Sequence, residues 1–236
     1  MCDCRATHPS VPAPLRRRLL GAATLAALAP AWAAPPAPAV QHLSPDAALQ
    51  RLLQGNARYV AGRPLPRNHA KGRAARAQGQ RPVAAVLSCA DSRVAPELLF
   101  DQGLGDLFVV RLAGNFVNDD ALASMEYAVQ YLEVPLLMVL GHSHCGAVSA
   151  AVKVVQEGAV LPGHLPGLAQ AIQPAVESAL RRQPGDLLAA ATVQNVRHNV
   201  ARLATAAPIL ADRAAAGATR TVGGVYDLAT GTVTLV

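Results

Sequence analysis

Two apolar runs, each followed at once by metal-ligating side chains, constrain this chain more than any other feature. Residues 82–88 (PVAAVLS) lead into Cys89, and residues 135–141 (PLLMVLG) lead into the sequence His-Ser-His-Cys at 142–145. Unbroken apolar runs of this length predict strands that are covered on both faces, as in a parallel sheet. Because ligands bind beyond the carboxyl ends of such strands, we expect the two clusters to meet at one edge of a sheet.

The rest of the pattern predicts an α/β domain, with a central, mostly parallel β-sheet flanked by helices. Further strands are predicted at 107–112, 220–226 and 232–236, and helices at 47–60, 96–100, 119–132, 146–157, 168–182 and 186–206. Ser44 is the expected cap of the first helix, which forms an N-terminal helical arm, and Asn118 or Asp119 caps the third. The basic residues 63–80 are expected to form a loop that wraps the body or a partner subunit.

The N-terminal segment has the layout of an export signal. Three arginines at 16–18 precede the apolar residues 19–29, and residues 31–33 (AWA) fit a small-x-small cleavage site. Arginines in this position are typical of the twin-arginine route, with an ordinary secretory leader or an uncleaved anchor as alternatives. The apolar run is too short to span a bilayer comfortably, so no stable membrane insertion is expected after cleavage. The expected division is a signal peptide at 1–33, a Pro/Ala-rich tether at 34–43 and a folded domain at 44–236, in a protein exported to the periplasm.

Composition excludes one class of partner and favours self-association. Without the residues before Ala34, 17 basic and 14 acidic residues remain, a balance too even and too scattered to indicate nucleic-acid binding. In the whole chain, 52% of the residues are hydrophobic and only 15% are charged, so a folded monomer would have to expose apolar surface. An oligomer is therefore expected.

Cys89, His142 and Cys145 form a donor set that suits zinc, because two thiolates and one imidazole match its preferred ligands. His142 and Cys145 are three residues apart, and Cys89 follows a neighbouring strand. Three protein ligands leave a fourth position for water, which is the arrangement of a catalytic zinc site. Asp91 either takes that position and closes the site, or pairs with Arg93 and orients the nucleophile.

Two other interpretations of the same residues are open. A disulfide between Cys89 and Cys145, the default in an oxidising compartment, predicts an exported redox protein without zinc. A permanent Asp91 ligand predicts a structural, non-catalytic zinc protein. The first leaves His142 unexplained and the second leaves Arg93 unexplained, so a catalytic site is the favoured hypothesis.

Cys-Ala-Asp-Ser-Arg at 89–93 together with His-Ser-His-Cys-Gly at 142–146 resembles the β-class carbonic anhydrases. The resemblance covers nearly all of the chain from about Ser44, and residues 80–115 and 124–147 both match. It implies a lyase in which zinc-bound hydroxide reversibly hydrates carbon dioxide to bicarbonate and a proton, with one Zn²⁺ per chain, in a homodimer or a dimer of dimers. It assigns Cys89, His142 and Cys145 as zinc ligands, Asp91 and Arg93 as the catalytic dyad, and the amide of Gly146 to substrate binding.

The resemblance also implies a substrate pocket. Gln80, nine residues before Cys89, resembles a glutamine that hydrogen-bonds the substrate, and Phe108 and Tyr127 resemble two aromatic residues that line the pocket. These positions match the plant-like branch of the family, in which the zinc site is open. Tyr131 occurs where plant-like members often have a histidine, so another group or the buffer is expected to carry the proton to solvent. A related hydrolase of carbonyl sulfide or carbon disulfide is the alternative enzyme.

Overall fold

A five-stranded mixed sheet lies at the centre of the residues that the computed structural model describes, 43–236. Its strands are β1 (Ala84–Ser88), β2 (Leu107–Arg111), β3 (Leu136–His142), β4 (Arg220–Tyr226) and β5 (Val233–Leu235). They are ordered β2-β1-β3-β4-β5; the first four are parallel and β5 is antiparallel to β4. The prediction of a mostly parallel sheet in an α/β fold is confirmed.

Helices cover both faces of this sheet. They are α1 (Pro45–Val60), α2 (Arg73–Arg76), α3 (Pro96–Leu99), α4 (Asp119–Tyr131), α5 (Gly146–Glu157), α6 (Leu165–Leu180), α7 (Leu187–Ala204) and α8 (Ile209–Ala215). The predicted cap of α1 is confirmed, since the Ser44 hydroxyl oxygen accepts from the Ala47 N–H, and Asn118 caps α4 in the same way. The helices α2 and α8 lie in segments for which the sequence predicted no helix, and α6 begins three residues before its predicted start.

The strands β1 and β3 are buried on both faces, because their alternate side chains belong to two separate hydrophobic clusters. In β1, Ala84 and Val86 belong to the cluster under α1 and α3, whereas Ala85 and Leu87 belong to the cluster under α4, α7 and α8. Successive side chains of a strand point to opposite faces, so an unbroken apolar run is the pattern required when both faces are covered. The apolar sequence of β1 and β3 is therefore explained by their position in the middle of the sheet.

The N-terminal helix packs on the sheet of its own chain. Ala48, Leu49 and Leu52 of α1 are buried in the first cluster, beside residues of β1 and β3. The segment that follows α1 is exposed over most of its length but is tied down at Asp101, which binds the side chain of Arg67 and the N–H of Leu65. The predicted arm is thus a helix, and the segment after it wraps the body of the same chain.

The predictions for the signal peptide, 1–33, and for residues 34–42 of the tether fall outside the described residues. Within residues 43–236, no helix combines the length and the apolar character that crossing a membrane requires.

Candidate metal centre

Strand register brings the two predicted clusters together at the carboxyl edge of the sheet. β1 and β3 are neighbours, with Ser88 paired to Leu140, so Cys89 follows β1 close to the point where β3 ends at His142. One ligand atom from each of Cys89, His142 and Cys145 lies within 4.8 Å of the others, and all three residues are buried. The geometry brings together the three residues that the sequence predicted, and they could hold one metal ion.

The hydrogen bonding of His142 fits a metal ligand. Its Nδ1 lies 2.9 Å from the carbonyl oxygen of Ser143, to which it donates, and this fixes the orientation of the ring. Its Nε2 is buried and has no hydrogen-bond partner. A buried, unpaired ring nitrogen costs free energy, and a metal ion removes that cost while the other nitrogen keeps its backbone bond.

The two cysteines are free thiols, so the disulfide interpretation is wrong for this structure. A hydrogen bond from Cys145 lowers the pKa of Cys89, against the opposing effect of burial, and the N–H of Gly114 adds a bond of 3.3 Å to the same sulfur. The pKa of Cys145 is raised because its thiol hydrogen-bonds Cys89 and is buried. A buried sulfur with a lowered pKa, beside a second thiol and an unpaired imidazole nitrogen, favours a bound cation.

Asp91 is held beside the three ligands by Arg93. The Nε and Nη2 atoms of Arg93 donate to the two carboxylate oxygens of Asp91 at 2.9 and 2.7 Å, and the backbone N–H of Arg93 adds a third bond at 2.9 Å. These bonds hold the pKa of Asp91 well below its usual range, so the carboxylate is ionised near neutral pH. Its Oδ2 lies 3.8 Å from Nε2 of His142. The structure shows the Asp91–Arg93 pair of one sequence-based placement, and the occupant of the fourth ligand position stays a prediction.

Two further residues position the centre and were missed from the sequence. Arg111, the last residue of β2, donates from Nε to the carbonyl oxygen of Cys89 at 3.0 Å and from Nη2 to that of Asp91 at 2.7 Å. Gly114 contributes its N–H to the sulfur of Cys89. A charged residue at the end of an apolar strand could have drawn attention to Arg111, but a backbone amide such as that of Gly114 leaves no sequence signal.

Gly146 lies at the first turn of α5, directly after the ligand Cys145. A side chain at this position would meet no atom within 4 Å, and the residue is exposed, so the space beside its amide is open. The amino terminus of a helix carries unpaired N–H groups and a partial positive charge. This end of α5 can therefore hold an anionic substrate beside the ligands.

The structure does not bring Gln80, Phe108 and Tyr127 to the metal centre of the same chain. Gln80 is an exposed residue before the amino end of β1, whereas Cys89 follows its carboxyl end. Phe108 of β2 pairs with Ala85 of β1, whereas Cys89 directly follows Ser88, the last residue of β1. Ala85 and Ser88 are three residues, or about 10 Å, apart along the strand. The ring of Tyr127 packs at 6.2 Å from that of Phe108. Their assignment to a substrate pocket stays a prediction.

Comparison with known proteins decides the family. A family model described as carbonic anhydrase matches residues 84–233, which is more than half of the chain. A carbonic anhydrase of Mycolicibacterium smegmatis is 45% identical over 194 residues, covering 81% of this chain and 93% of that protein. The chain belongs to the β-class carbonic anhydrase family. Carbonic anhydrase 2 of Mycobacterium tuberculosis is 42% identical over the same shares of the two chains.

Solved structures of the family have the same fold. The β-carbonic anhydrase CcaA is 31% identical and superposes with a TM-score of 0.60, covering 79% of this chain and 94% of its own. A β-carbonic anhydrase of Sordaria macrospora, described as tetrameric, gives a TM-score of 0.65 over 80% of this chain and 96% of its own. Because it is only 21% identical, that likeness concerns the fold alone.

Proposed function

We propose that this protein is a zinc-dependent carbonic anhydrase that interconverts carbon dioxide and bicarbonate, with one Zn²⁺ per chain held by Cys89, His142 and Cys145. The observation that carries the proposal is the Asp91–Arg93 pair beside the three ligands. A purely structural metal site needs only its ligands. A carboxylate that two guanidinium bonds hold beside the ligands can accept a hydrogen bond or a proton during a reaction. Membership of the carbonic anhydrase family supports the same activity.

Each residue of the site has a chemical task in this reaction. Zinc bound by Cys89, His142 and Cys145 would supply Lewis-acid chemistry that lowers the pKa of water toward about 7. Asp91, ionised and held in place by Arg93, would accept a hydrogen bond from the nucleophile and orient it toward carbon dioxide. Arg93 keeps the carboxylate in place through its planar fork. The N–H of Gly146 stabilises the negative charge that develops on the oxygens of bicarbonate.

The site is proposed to be open, as in the plant-like branch, with Asp91 off the metal. If the carboxylate turned to the metal, it would lose the bonds that it now accepts from Arg93, whose side-chain donors lie within 2.9 Å. Charge-assisted, two-point bonds of this kind are among the stronger polar contacts in proteins. They therefore favour a free fourth position over a closed site.

Substitution of Asp91 tests the activity. Asp91→Asn in the full chain is expected to retain one zinc per chain and to lose carbon dioxide hydration by roughly 100-fold or more, because an amide lacks the negative charge and has only one acceptor oxygen for both Arg93 and the nucleophile. Zinc content by elemental analysis and stopped-flow hydration rates measure the two effects. Asp212→Asn, at an exposed position of α8, is the matched control and is expected to behave as wild type. Wild-type rates in Asp91→Asn would contradict the assignment.

We also propose that the protein is a homodimer or a dimer of dimers in which each pocket is shared between two chains. Gln80, Phe108 and Tyr127 lie away from the centre of their own chain, so a second copy would have to bring them to it. Several large apolar side chains are exposed in a single chain and would be covered by such a partner: Leu65, Leu98, Leu104, Tyr127 and Tyr131.

Complementation between two damaged chains tests the sharing. Asp91→Asn and Tyr127→Ala chains are each expected to form dimers with strongly reduced activity. A mixed dimer isolated with two different tags contains one intact centre facing one intact Tyr127, so it is expected to regain about half of the wild-type activity. No recovery in the mixed dimer would mean that Tyr127 serves the centre of its own chain, and wild-type activity of the Tyr127→Ala dimer would mean that Tyr127 serves no site.

Export to the periplasm by the twin-arginine route is proposed from residues 16–33 alone. Folding around zinc before export would keep both thiols from oxidation in the periplasm. Replacing Arg17 and Arg18 by lysine is expected to leave the protein in the cytoplasm, as measured by cell fractionation and zinc content. Normal periplasmic recovery of the double variant would contradict this route.

A further inference from the structure

Two buried asparagines on α7 have no task in the site described so far. Asn195 and Asn199 are 1% and 2% exposed and lie one helical turn apart. Nδ2 of Asn199 donates to the side-chain oxygen of Asn195 at 3.1 Å and to its carbonyl oxygen at 2.8 Å. Asparagine is a poor helix former, and a buried amide is costly unless it is bonded. Two of them in adjacent turns therefore indicate a specific requirement for polar contacts at this point.

Both amides reach the loop between β2 and α4, at residues 114–117. Nδ2 of Asn195 donates to the carbonyl oxygen of Gly114 at 2.8 Å, and the N–H of Val117 donates to Oδ1 of Asn199 at 2.7 Å. Arg202, further along α7, donates from Nη1 to the carbonyl oxygen of Val117 at 2.7 Å. Three side chains of one helix thus fix both ends of the 114–117 segment.

The same segment touches the metal centre on its other side. The N–H of Gly114 is the one that donates to the sulfur of Cys89. Gly114 has a φ of +84°, and a Cβ there would lie 2.6 Å from Cδ1 of Ile172 and 3.0 Å from Cβ of Ala147. The residue is therefore enclosed by α5 and α6 as well as tied to α7. Its N–H reaches the sulfur only while the segment stays in this position.

We propose that Asn195 and Asn199 are positioning residues for the metal centre, which act by holding the N–H of Gly114 against the sulfur of Cys89. The inference rests on the proposed zinc site. Hydrogen bonds to a ligand fix its orientation and reduce the charge that it donates to the metal. Two thiolates donate more charge than imidazoles do, so an N–H bond to one of them keeps the metal more acidic. The asparagines touch neither metal nor substrate and act only through the 114–117 segment.

Asn195→Leu tests the proposal, with Thr192→Val as the matched control. Leucine has the same number and branching of side-chain heavy atoms as asparagine, and it removes the bond to Gly114 together with the side-chain acceptor of Asn199. Thr192 is 3% exposed on the same helix, and its hydroxyl donates within that helix, to the carbonyl oxygen of Leu188 at 2.9 Å. Both variants lose a buried polar group, but only Asn195→Leu releases the 114–117 segment.

The readouts are chosen so that a merely structural role would not change them. In the cobalt-loaded full chain, Asn195→Leu is expected to move the thiolate-to-cobalt absorption band to lower energy, because the sulfur becomes richer in charge. Zinc affinity, measured by competition with a chromogenic chelator, is expected to fall about 10- to 100-fold. The pH midpoint of carbon dioxide hydration is expected to rise. Thr192→Val is expected to keep the wild-type band, zinc affinity and midpoint, whatever its melting temperature.

An unchanged cobalt band and zinc affinity in folded Asn195→Leu would overturn the proposal. If that variant does not fold, Arg202→Gln is the second test. The side chain of Arg202 is 46% exposed, so its replacement is better tolerated, and it donates to the same 114–117 segment at Val117. Arg202→Gln is expected to shift the band in the same direction by a smaller amount, and an unchanged band overturns the proposal. Failure of the proposed function is a separate result: a wild-type chain that binds cobalt through thiolates but does not hydrate carbon dioxide. In that case the band still tests the positioning role.

Discussion

At the scale of single residues, the reactivity of the site depends on how Asp91 is held as well as on its charge. The carboxylate is 16% exposed, and Arg93, which holds it, is 56% exposed. An exposed ion pair contributes little to stability. The value of this pair lies in fixing the direction of two carboxylate oxygens beside the ligands, which a planar guanidinium does better than a single ammonium group.

Arg93→Lys is expected to keep the charge of the pair and to lose its two-point geometry. We expect kcat/KM for carbon dioxide hydration to fall by roughly 10-fold or more, with zinc content unchanged, because the carboxylate is no longer held at two points. Arg182→Lys, at an exposed position after α6, is the control for a general arginine effect and is expected to retain wild-type kinetics. Equal rates in the two variants would show that charge alone is sufficient.

At the scale of elements, the site depends on a sheet whose strands are fixed by the helices around it. The helix α1 approaches α3 so closely that a Cβ on Gly55 would lie 1.8 Å from the carbonyl oxygen of Phe100. Asn56, the next residue, donates to the carbonyl oxygens of Leu99 and Gly231 and accepts from the N–H of Val233. This part of α1 therefore connects the end of α3 to the turn before β5 and to the first residue of that strand.

Gly55→Ala is expected to destabilise the fold by about 3 kcal/mol, because the added methyl forces α1 away from α3. Gly167→Ala is the matched control, since Gly167 also lies in a helix and a Cβ there would meet no atom within 4 Å. That change is expected to stabilise the protein by up to about 1 kcal/mol, through helix propensity. Denaturant unfolding of both variants measures the difference. Equal effects of the two substitutions would contradict the close approach.

Asp101 links α1, α3 and the segment after α1, and its contribution is expected to depend on pH. Burial raises its pKa, but the bonds from Arg58 and Arg67 outweigh burial, and the pKa in the folded protein is lower than usual. A carboxyl with a lowered folded-state pKa contributes stability above its unfolded pKa, near 3.9, and loses that contribution as the pH falls through the folded pKa.

Asp101→Asn is accordingly expected to cost about 3 kcal/mol of unfolding free energy at neutral pH, because two guanidinium groups lose their partner. The difference from wild type is expected to shrink as the pH is lowered below about 4. Urea unfolding as a function of pH measures it, with Asp212→Asn as the exposed control. A difference that grows toward acid would mean that the sign of the pKa shift is wrong.

Much of the element order was predictable because its signals are local. The Ser44 cap and the apolar runs of β1 and β3 are each recognisable from a few consecutive residues, and the structure confirms them. The start of α6 was predicted too late because Pro166 and Gly167 resemble a loop. A proline in the first turn lacks only an N–H that would be unpaired in any case, so the helix includes it.

The site was predictable only where side chains carry the chemistry. Cys89, His142 and Cys145 could be grouped because two strand ends place them together. The bond from the N–H of Gly114 to the sulfur of Cys89 spans 25 positions of sequence, and the bond from Asn195 to the carbonyl oxygen of Gly114 spans 81, so nothing local indicates either contact. The distance of Phe108 from Cys89 depends on strand register, since Phe108 pairs with Ala85.

At the scale of the whole molecule, the metal ligands of a single chain lie at the carboxyl ends of the strands. Phe108, one of the predicted pocket aromatics, lies toward the amino end of its strand. The proposed assembly reconciles the two by using the second chain. Apolar side chains that are exposed in one chain, among them Leu98 and Tyr127, would be buried by a second chain, and this burial favours association. Activity is therefore expected to fall when the protein is diluted below the concentration at which it dissociates, as light scattering and initial rates at matched concentrations would show.

Zinc content and carbon dioxide hydration measured on the same samples test the central claim most directly. Metal-free full chain, titrated with zinc, is expected to gain activity in proportion to bound zinc and to reach its maximum at one zinc per chain. Cys145→Ser, which removes one sulfur of the buried centre, is expected to bind zinc more weakly and to follow the same proportionality at lower occupancy. Full activity without zinc, or one tightly bound zinc per chain without hydration, would contradict the account.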